Sequence, residues 1–213
     1  MADTGPEGGG EQIPSGPRPH RVEDFDALYQ GTPPWDIGRP QPAFVGLAER
    51  GLLRGRVLDV GCGTGEHALL AAGIGLDALG LDAAPRAIAA AERKATERAL
   101  TARFLVWDAL ELSGLGEQFD TVLDCGLFHI FDDDDRSRFV KSLETVVPAG
   151  GRYFMLCFSE LQPGDWGPRR VTQGEIRAAF SKGWQVDSIE PSTLDVTIMS
   201  EPVLAWLSTI TRT

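Results

Sequence analysis

The sequence has few of the features that mark secreted or membrane-spanning proteins. Its three cysteines, Cys62, Cys125 and Cys157, are an odd number at irregular spacing. This favours free thiols in a reducing compartment over a disulfide framework. The chain also lacks an apolar run of the roughly 18 residues that a membrane-spanning helix needs, and its first residues include no apolar stretch of the signal-peptide type. We therefore expect a cytoplasmic protein.

Basic residues are also scarce. Twenty lysines and arginines stand against 31 aspartates and glutamates, which gives a formal net charge of −11. That charge repels nucleic-acid phosphates and anionic membrane surfaces, so we expect neither as a partner. With 213 residues, 42% of them hydrophobic, the chain is long enough for one domain with a full core. Composition thus favours an enzyme or a small-molecule binding protein, and it leaves both a monomer and a homodimer open.

The chain divides into a tail and one domain. Residues 1–19 are mostly Gly, Pro and small polar residues, which predicts a disordered tail, and residues 20–213 are expected to form a single domain. From residue 56 onward, apolar strands alternate with amphipathic helices, a pattern typical of an α/β fold. We expect a doubly wound, mostly parallel sheet with helices on both faces, which binds ligands at the carboxyl ends of its strands.

The glycine-rich stretch Val57–Gly65, "VLDVGCGTG", is the sharpest motif. It follows an apolar strand and opens a helix, so its glycines predict a tight turn where a ligand approaches the backbone. The acids Asp82, Asp108 and Asp124 end the next three strands, which favours an adenosine-like ligand with several hydrogen-bond donors. A dinucleotide is disfavoured because the spacing is not G-x-G-x-x-G and because Asp59 would repel phosphate; a carboxylate there suits a cationic ligand.

These motifs, with "WDAL" and "FDTVLDCG", resemble the motif series of the class I S-adenosyl-L-methionine-dependent methyltransferases, from about residue 56 to the C-terminus. The resemblance implies a Rossmann-like, seven-stranded sheet with one antiparallel strand, and S-adenosylhomocysteine as the product. It also implies which residues contact the cofactor. Those beside the methionine part and the sulfonium are Asp59, Gly61, Cys62, Gly63, Thr64, Gly65, Cys125 and Gly126, and those beside the adenosine are Asp82, Ala83, Trp107, Asp108 and Ala109.

The segment "PPWDIGRPQP" resembles the thiopurine S-methyltransferase-like group, and "DCGLFHIFDDDDR" is most similar to its bacterial methyltransferases of heterocyclic toxins. In that group the segment before the first strand closes over cofactor and substrate. We therefore treat residues 20–50 as a lid segment. The resemblance implies that Tyr29, Trp35, Arg39 and Pro40 of this segment lie over the cofactor and substrate. Arg39 either pairs with Asp36 or faces the methyl acceptor.

Methyl transfer needs a base only when the nucleophile still carries its proton, and histidine is the first choice for that role. His20 lies in the tail, and His67, in the first turn after the glycines, either contacts the cofactor or caps the helix. His129 follows the fourth strand, where the acceptor is expected; it either orients or deprotonates the acceptor, or packs on Phe128 or Phe131. Further candidates for the acceptor pocket are Phe25, Trp35, Arg39, Phe128, Phe158, Trp166, Arg169 and Arg170.

Two other motifs have simpler interpretations. The run Asp132–Asp135 suits the N-terminus of a helix, whose dipole favours acids, better than a metal site, which needs convergent oxygens. Cys125 is expected to be a small buried thiol, because methyl transfer needs no covalent enzyme intermediate.

The resemblance and the residues together predict methyl transfer from S-adenosylmethionine to a small molecule, at an aromatic hydroxyl, a ring nitrogen or a thiol of a heterocycle. A thiol or halide methyltransferase is the alternative within the same class. From another class, a non-catalytic module that only binds S-adenosylmethionine stays open, because fold does not imply function.

Overall fold

The computed structural model describes residues 22–213, and the predicted tail and His20 lie outside them. Along the described residues run six α-helices and seven strands: α1 (Val22–Leu28), α2 (Pro42–Glu49), β1 (Arg56–Val60), α3 (Glu66–Gly73), β2 (Asp77–Asp82), α4 (Pro85–Glu97), β3 (Arg103–Val106), β4 (Thr121–Cys125), α5 (Asp133–Val146), β5 (Arg152–Phe158), α6 (Gln173–Ala179), β6 (Trp184–Leu194) and β7 (Val203–Arg212). Short 3-10 helices follow β3 (Ala109–Leu115) and β4 (Phe128–Ile130).

The strands form one sheet in the order β3-β2-β1-β4-β5-β7-β6. Strands β1 to β5 pair in parallel, and β7 is antiparallel to both β5 and β6. This confirms the expected seven-stranded, mostly parallel sheet with one antiparallel strand. The strand order reverses between β1 and β4, so the turns that follow these two strands lie side by side at the switch point where such sheets bind ligands.

Each face of the sheet has its own apolar core, because alternate side chains of a strand point to opposite faces. Leu58 and Val60 of β1 pack with α5 and α6, whereas Val57 packs with α2, α3 and α4. Strand β5 is buried along nearly its whole length, as its apolar run predicts for a strand covered on both faces. Each such buried side chain stabilises the fold by about 1.5–3 kcal/mol relative to exposure.

Two helix starts follow directly from local chemistry. The side chain of Asp132 accepts a hydrogen bond from the Asp135 N–H, and α5 begins at Asp133, so the acidic run lies at a helix N-terminus as expected. Thr172 and Glu175 form a complete capping box at the start of α6. Among the helices that the structure describes, none has both the length and the apolar character required to cross a membrane.

Candidate active site

The glycine turn lies between the end of β1 and the start of α3. Gly61, Gly63 and Gly65 have φ angles of 68°, 53° and 84°, a region that side chains with a Cβ avoid. The turn is held against β2, because the Cys62 N–H donates to the Leu81 carbonyl over 2.8 Å. The Cys62 side chain is buried in the core, so this residue presents backbone rather than thiol to a ligand.

Asp82 ends β2 directly beside the turn. One of its carboxylate oxygens accepts a hydrogen bond from the Gly63 N–H over 2.8 Å, and the other accepts from the Ala84 N–H over 2.8 Å. The side chain is half-buried, and burial raises the pKa of its carboxyl. Each oxygen keeps a free lone pair, so the carboxylate is fixed in position and can still accept two further hydrogen bonds.

Asp59 and His67 lie behind the glycine turn. Asp59 is fully buried; its Oδ2 accepts from the Ala68 N–H over 3.0 Å, whereas Oδ1 has no hydrogen-bond partner among the described residues. Burial raises the pKa of this carboxyl to about 7. His67 accepts a hydrogen bond from the Gln41 N–H over 3.2 Å and packs on Phe44, with ring centroids 4.6 Å apart. Its ring therefore connects α3 to the start of α2, and its Nδ1 lies 3.9 Å from Asp59 Oδ1.

The predicted adenosine side lies after β3. Trp107 is half-buried, and its indole N–H donates to the Glu111 carbonyl over 3.0 Å. Asp108 is exposed and accepts from the Leu110 N–H over 2.9 Å, which caps the 3-10 helix that begins at Ala109. The Trp107 N–H donates to the Asp82 carbonyl over 3.0 Å, so the end of β3 is tied to the end of β2.

Asp124, by contrast, is not at the ligand edge with Asp82 and Asp108. It is fully buried, and burial raises its pKa to about 7. Its carboxylate accepts hydrogen bonds from the Leu127 N–H over 2.8 Å and from the Tyr153 hydroxyl over 2.6 Å. The expectation that this acid faces the ligand was wrong: it shapes the turn after β4 from inside the protein.

His129 lies on that turn and is 95% buried. Its Nδ1 accepts a hydrogen bond from the Phe158 N–H over 3.0 Å. Its Nε2 lies against Gly126, where an added Cβ would come within 3.3 Å of it. Burial, together with the charges of Arg136 and Arg170, lowers the pKa of His129 to about 3. The ring is therefore neutral at pH 7.

An aromatic wall extends from His129 along the loop after β5. The Phe158 ring meets His129 edge-on at a centroid distance of 5.0 Å and meets Trp166 edge-on at 5.7 Å. Phe158 is buried and Trp166 is half-buried. These three predicted acceptor residues are thus brought together, with His129 next to Gly126.

The lid segment covers the glycine turn from the other side. The Tyr29 hydroxyl lies 2.9 Å from the point where a Cβ on Gly63 would be, and it accepts a hydrogen bond from the Trp35 indole N–H over 3.0 Å. Phe25 packs on Trp35 with a centroid distance of 6.4 Å. Trp35 is 40% exposed. Its hydrogen bond to Tyr29, which lies against Gly63, nevertheless keeps it close to the carboxyl end of β1.

Two sets of contacts hold residues 36–41 of the lid segment in place. Asp36 accepts a hydrogen bond from the Thr64 hydroxyl over 3.0 Å. Arg39 forms an ion pair with Asp195 at 2.7 Å, and Gln41 exchanges two side-chain hydrogen bonds with the Asp195 backbone. The suggested pair between Asp36 and Arg39 was therefore wrong, because each has a partner elsewhere. The sequence did not predict the roles of Gln41 and Asp195, because neither residue belongs to a local motif.

Two further acceptor candidates have other roles. Phe128 is fully buried, packs on Phe180 and lies under the Arg136 guanidinium, so it belongs to the core rather than to the acceptor wall. The Arg169 guanidinium pairs with Asp133 and Glu175 and so is directed at α5 and α6. The neighbouring Arg170 is the arginine whose guanidinium lies over the Phe158 and Trp166 rings.

The thiols and carboxylates of the described chain form no metal centre. Within residues 22–213 there is no group of three or more His, Cys, Asp or Glu side chains that could hold a metal ion. Cys62, Cys125 and Cys157 are free thiols, and burial raises the pKa of each. Cys125 therefore has the environment of an inert thiol rather than of a nucleophile.

Comparisons with known proteins agree with this geometry. Residues 57–151 match the family model of a methyltransferase domain. The chain is 39% identical over 181 residues to the 2-heptyl-1-hydroxyquinolin-4(1H)-one methyltransferase of Mycobacteroides abscessus, with 80% of each chain covered. It is 27% identical over 175 residues to a probable thiol methyltransferase 2 of Arabidopsis thaliana, with 78% of this chain and 75% of that one covered.

A solved structure from work on the conversion of a disulfide bond into a thioacetal group during echinomycin biosynthesis has the same fold. It matches with a TM-score of 0.83 and 39% identity, over 90% of this chain and 93% of that one. The chain therefore belongs to the class I S-adenosylmethionine-dependent methyltransferases. S-adenosylmethionine is its cofactor, as the motif series implied.

The residues at the switch point fit this cofactor. The two fixed acceptor oxygens of Asp82 would suit a ribose diol. The buried Oδ1 of Asp59 accepts no hydrogen bond from the described residues and lies 3.9 Å from His67 Nδ1. Because Gly63 has no Cβ, the Tyr29 hydroxyl approaches the turn closely, 2.9 Å from the point where a Cβ would be. A buried carboxylate and a wall of aromatic and glycine residues suit a cationic ligand better than a phosphate.

Proposed function

We propose that the protein transfers the methyl group of S-adenosylmethionine to a heteroatom of a small, flat heterocycle. The observation that carries the proposal is the position of His129: its Nε2 edge lies beside Gly126, and Phe158 and Trp166 extend from it as an aromatic wall. Such a wall favours a planar acceptor. The relative from Mycobacteroides abscessus is named for a hydroxylated quinolone, which supports the same class of acceptor.

The protein's contribution is mainly to bind, orient and exclude water. When bound, S-adenosylmethionine supplies an electrophilic methyl group on its sulfonium. Asp82 and the glycine turn would hold it at the switch point, and Trp107, Asp108 and Ala109 would flank its adenine. Tyr29 and Trp35 close over the glycine turn, and we propose that residues 20–50 act as the lid that keeps water out. The absence of a Cβ at Gly126 keeps the path to the acceptor open beside His129.

His129 acts as a hydrogen-bond donor in this proposal. Because Nδ1 already accepts from the Phe158 N–H, the neutral ring carries its single proton on Nε2. A protonated Nε2 orients an acceptor oxygen, nitrogen or sulfur but does not remove a proton from it. The nucleophile must then arrive with a free lone pair, as an ionised hydroxyl, a thiolate or a ring nitrogen. The positive charges of Arg136 and Arg170, which already lower the pKa of His129, favour an anionic acceptor.

The test is a product screen with S-adenosylmethionine against hydroxyquinolines, phenols, heterocyclic thiols and halides, after its binding has been measured by calorimetry. The proposal expects methylated products from planar heterocycles with an acidic hydroxyl or thiol. Absence of binding at millimolar S-adenosylmethionine would overturn the cofactor site. Binding without any methylated product would instead favour the non-catalytic module.

A thiol or halide methyltransferase is the second candidate, because a relative at 27% identity is named a probable thiol methyltransferase. Iodide and bisulfide need no base. Rates with these small anions that exceed the rate with any heterocycle, and that do not change with pH for iodide, would favour this alternative.

We further propose that the protein works in the cytoplasm and that its partner is a small molecule rather than a nucleic acid or a membrane. The three free thiols suit a reducing compartment. The net charge of −11 opposes binding to phosphate backbones and anionic lipids.

A further inference from the structure

The loop between β5 and α6, residues 160–170, carries Trp166 and is closed at its base by backbone hydrogen bonds. The Val171 N–H donates to the Phe158 carbonyl over 3.0 Å, and the Glu160 N–H donates to the Val171 carbonyl over 3.2 Å. Among the described residues, no backbone–backbone hydrogen bond joins any two of residues 163 to 168. Something other than the backbone must therefore hold the tip of the loop in shape.

The guanidinium of Arg170 fills the inside of this loop. It donates hydrogen bonds to five carbonyls of the loop: those of Gln162 at 3.2 Å, Pro163 at 3.4 Å, Gly164 at 3.1 Å, Trp166 at 2.8 Å and Pro168 at 2.8 Å. A guanidinium has five N–H donors in one rigid plane, which a lysine ammonium cannot reproduce. The shape of the loop therefore depends on this one side chain.

The same guanidinium packs on the aromatic wall. Its central carbon lies 5.2 Å from the centroid of Phe158 and 5.4 Å from that of Trp166, within the range of cation–π contacts. Phe158 in turn packs on His129. Arg170 thus fixes Trp166 relative to Phe158, and through Phe158 relative to the ring that orients the acceptor.

We propose that Arg170 is a positioning residue for acceptor specificity: it shapes the loop that holds Trp166 in the acceptor wall, and it acts through Trp166 and Phe158. The inference rests on the proposed transfer to a planar heterocycle. It predicts that the geometry of the guanidinium matters and not only its charge, because Arg170→Lys keeps the charge but loses the planar set of donors.

The test compares Arg170→Lys with the unsubstituted protein in full-length form. For a planar acceptor found in the screen, we expect KM to rise about tenfold, equivalent to about 1.4 kcal/mol, with the Kd of S-adenosylmethionine unchanged. Selectivity for the planar acceptor over a small thiol should fall in parallel. Trp166→Leu removes the aromatic face but keeps Arg170, and it should raise the acceptor KM and lower the selectivity to the same extent. This variant tests the proposal even if Arg170→Lys fails to fold.

A second measurement does not depend on activity. Chymotrypsin cleavage after Trp166, followed by mass spectrometry, should be faster in Arg170→Lys and unchanged in Arg169→Lys. Arg169 is the matched control because its partners Asp133 and Glu175 lie outside the loop. Unchanged acceptor KM and selectivity in Arg170→Lys would overturn the proposal, as would an equal loss of S-adenosylmethionine affinity and thermal stability. If the unsubstituted protein methylates no acceptor, the proposed function fails, and cleavage alone decides whether Arg170 shapes the loop.

Discussion

The Thr64 hydroxyl donates a hydrogen bond to the Asp36 carboxylate over 3.0 Å and accepts one from the Lys94 ammonium over 2.6 Å. Thr64 belongs to the glycine turn and Asp36 to the lid segment, so this hydroxyl joins the two parts of the proposed cofactor site. Lys94 is itself held by Glu66 at 2.7 Å. The lid segment is thus bonded directly to the glycine turn, which we propose contacts the cofactor.

The first prediction concerns this bond. Asp36→Ala should raise the Kd of S-adenosylmethionine about tenfold, because a hydrogen bond to a charged group contributes about 1.5–3 kcal/mol. Calorimetry measures the affinity, and Asp24→Ala, an exposed acid on the same segment, is the control. Thr64→Val added to Asp36→Ala should change the affinity little further. Full additivity of the two substitutions would show that the residues do not act together.

The second prediction concerns His129. His129→Ala should lower kcat by about 10- to 100-fold, since it removes one hydrogen bond to a charged acceptor, worth about 1.5–3 kcal/mol. It should leave the affinity for S-adenosylmethionine nearly intact. If His129 donates rather than deprotonates, the pH dependence of kcat/KM should follow the pKa of each acceptor. An inflection at one fixed pH for acceptors of different pKa would show that an enzyme group acts as the base.

The sequence predicted the sheet, and the position of the glycine turn beside Asp82, because both depend on local patterns. Apolar runs define the strands, and the glycine turn and Asp82 lie at fixed offsets from them. The second anchor of the lid segment could not be predicted in this way: Gln41 and Asp195 are 154 positions apart, and only the fold brings them together. The strand-end acids Asp82 and Asp124 look alike in sequence, but the turn after β4 folds over Asp124 and buries it.

The acceptor side was harder to predict for a similar reason. Arg169 and Arg170 are adjacent, and no pattern indicates which of them turns into the loop and which turns to α5 and α6. Phe128 directly precedes His129, yet the 3-10 helix directs its ring into the core while the His129 ring faces Gly126. In a loop of this kind, the direction of each side chain depends on partners that are distant in sequence.

The third prediction separates backbone strain from crowding at the glycine turn. Gly63 and Gly75 both have positive φ angles, 53° and 86°, so Gly63→Ala and Gly75→Ala should each lose about 1–2 kcal/mol of stability. Only at Gly63 would the new Cβ meet the Tyr29 hydroxyl, at 2.9 Å; at Gly75 it meets nothing within 4 Å.

Because a tyrosine hydroxyl can move aside, the crowding should displace Tyr29 and weaken its bond to Trp35 rather than unfold the protein. Thermal unfolding should therefore shift similarly in both variants, while calorimetry should show a loss of S-adenosylmethionine affinity in Gly63→Ala alone. Equal affinities in the two variants would mean that Tyr29 does not contribute to the cofactor site.

The fourth prediction concerns stability at low pH. Burial lowers the pKa of His67 to about 4, whereas a histidine in the unfolded chain titrates at about 6.5. The unfolded chain therefore takes up a proton below pH 6.5 that the native state does not accept. The resulting contribution to stability is complete above pH 6.5 and is lost as the pH falls through 4.

Between pH 6.5 and pH 5, this linkage should cost the native protein about 2 kcal/mol. His67→Gln keeps an acceptor for the Gln41 N–H but cannot titrate, so its free energy of unfolding should fall by about 2 kcal/mol less over the same interval. Phe44→Leu is the control, because it loses the contact with the ring and retains the histidine, and it should keep the full pH dependence. Urea unfolding at the two pH values gives the free energy of unfolding of all three proteins. If this free energy falls equally in His67→Gln and in the unsubstituted protein, another group causes the loss of stability at low pH.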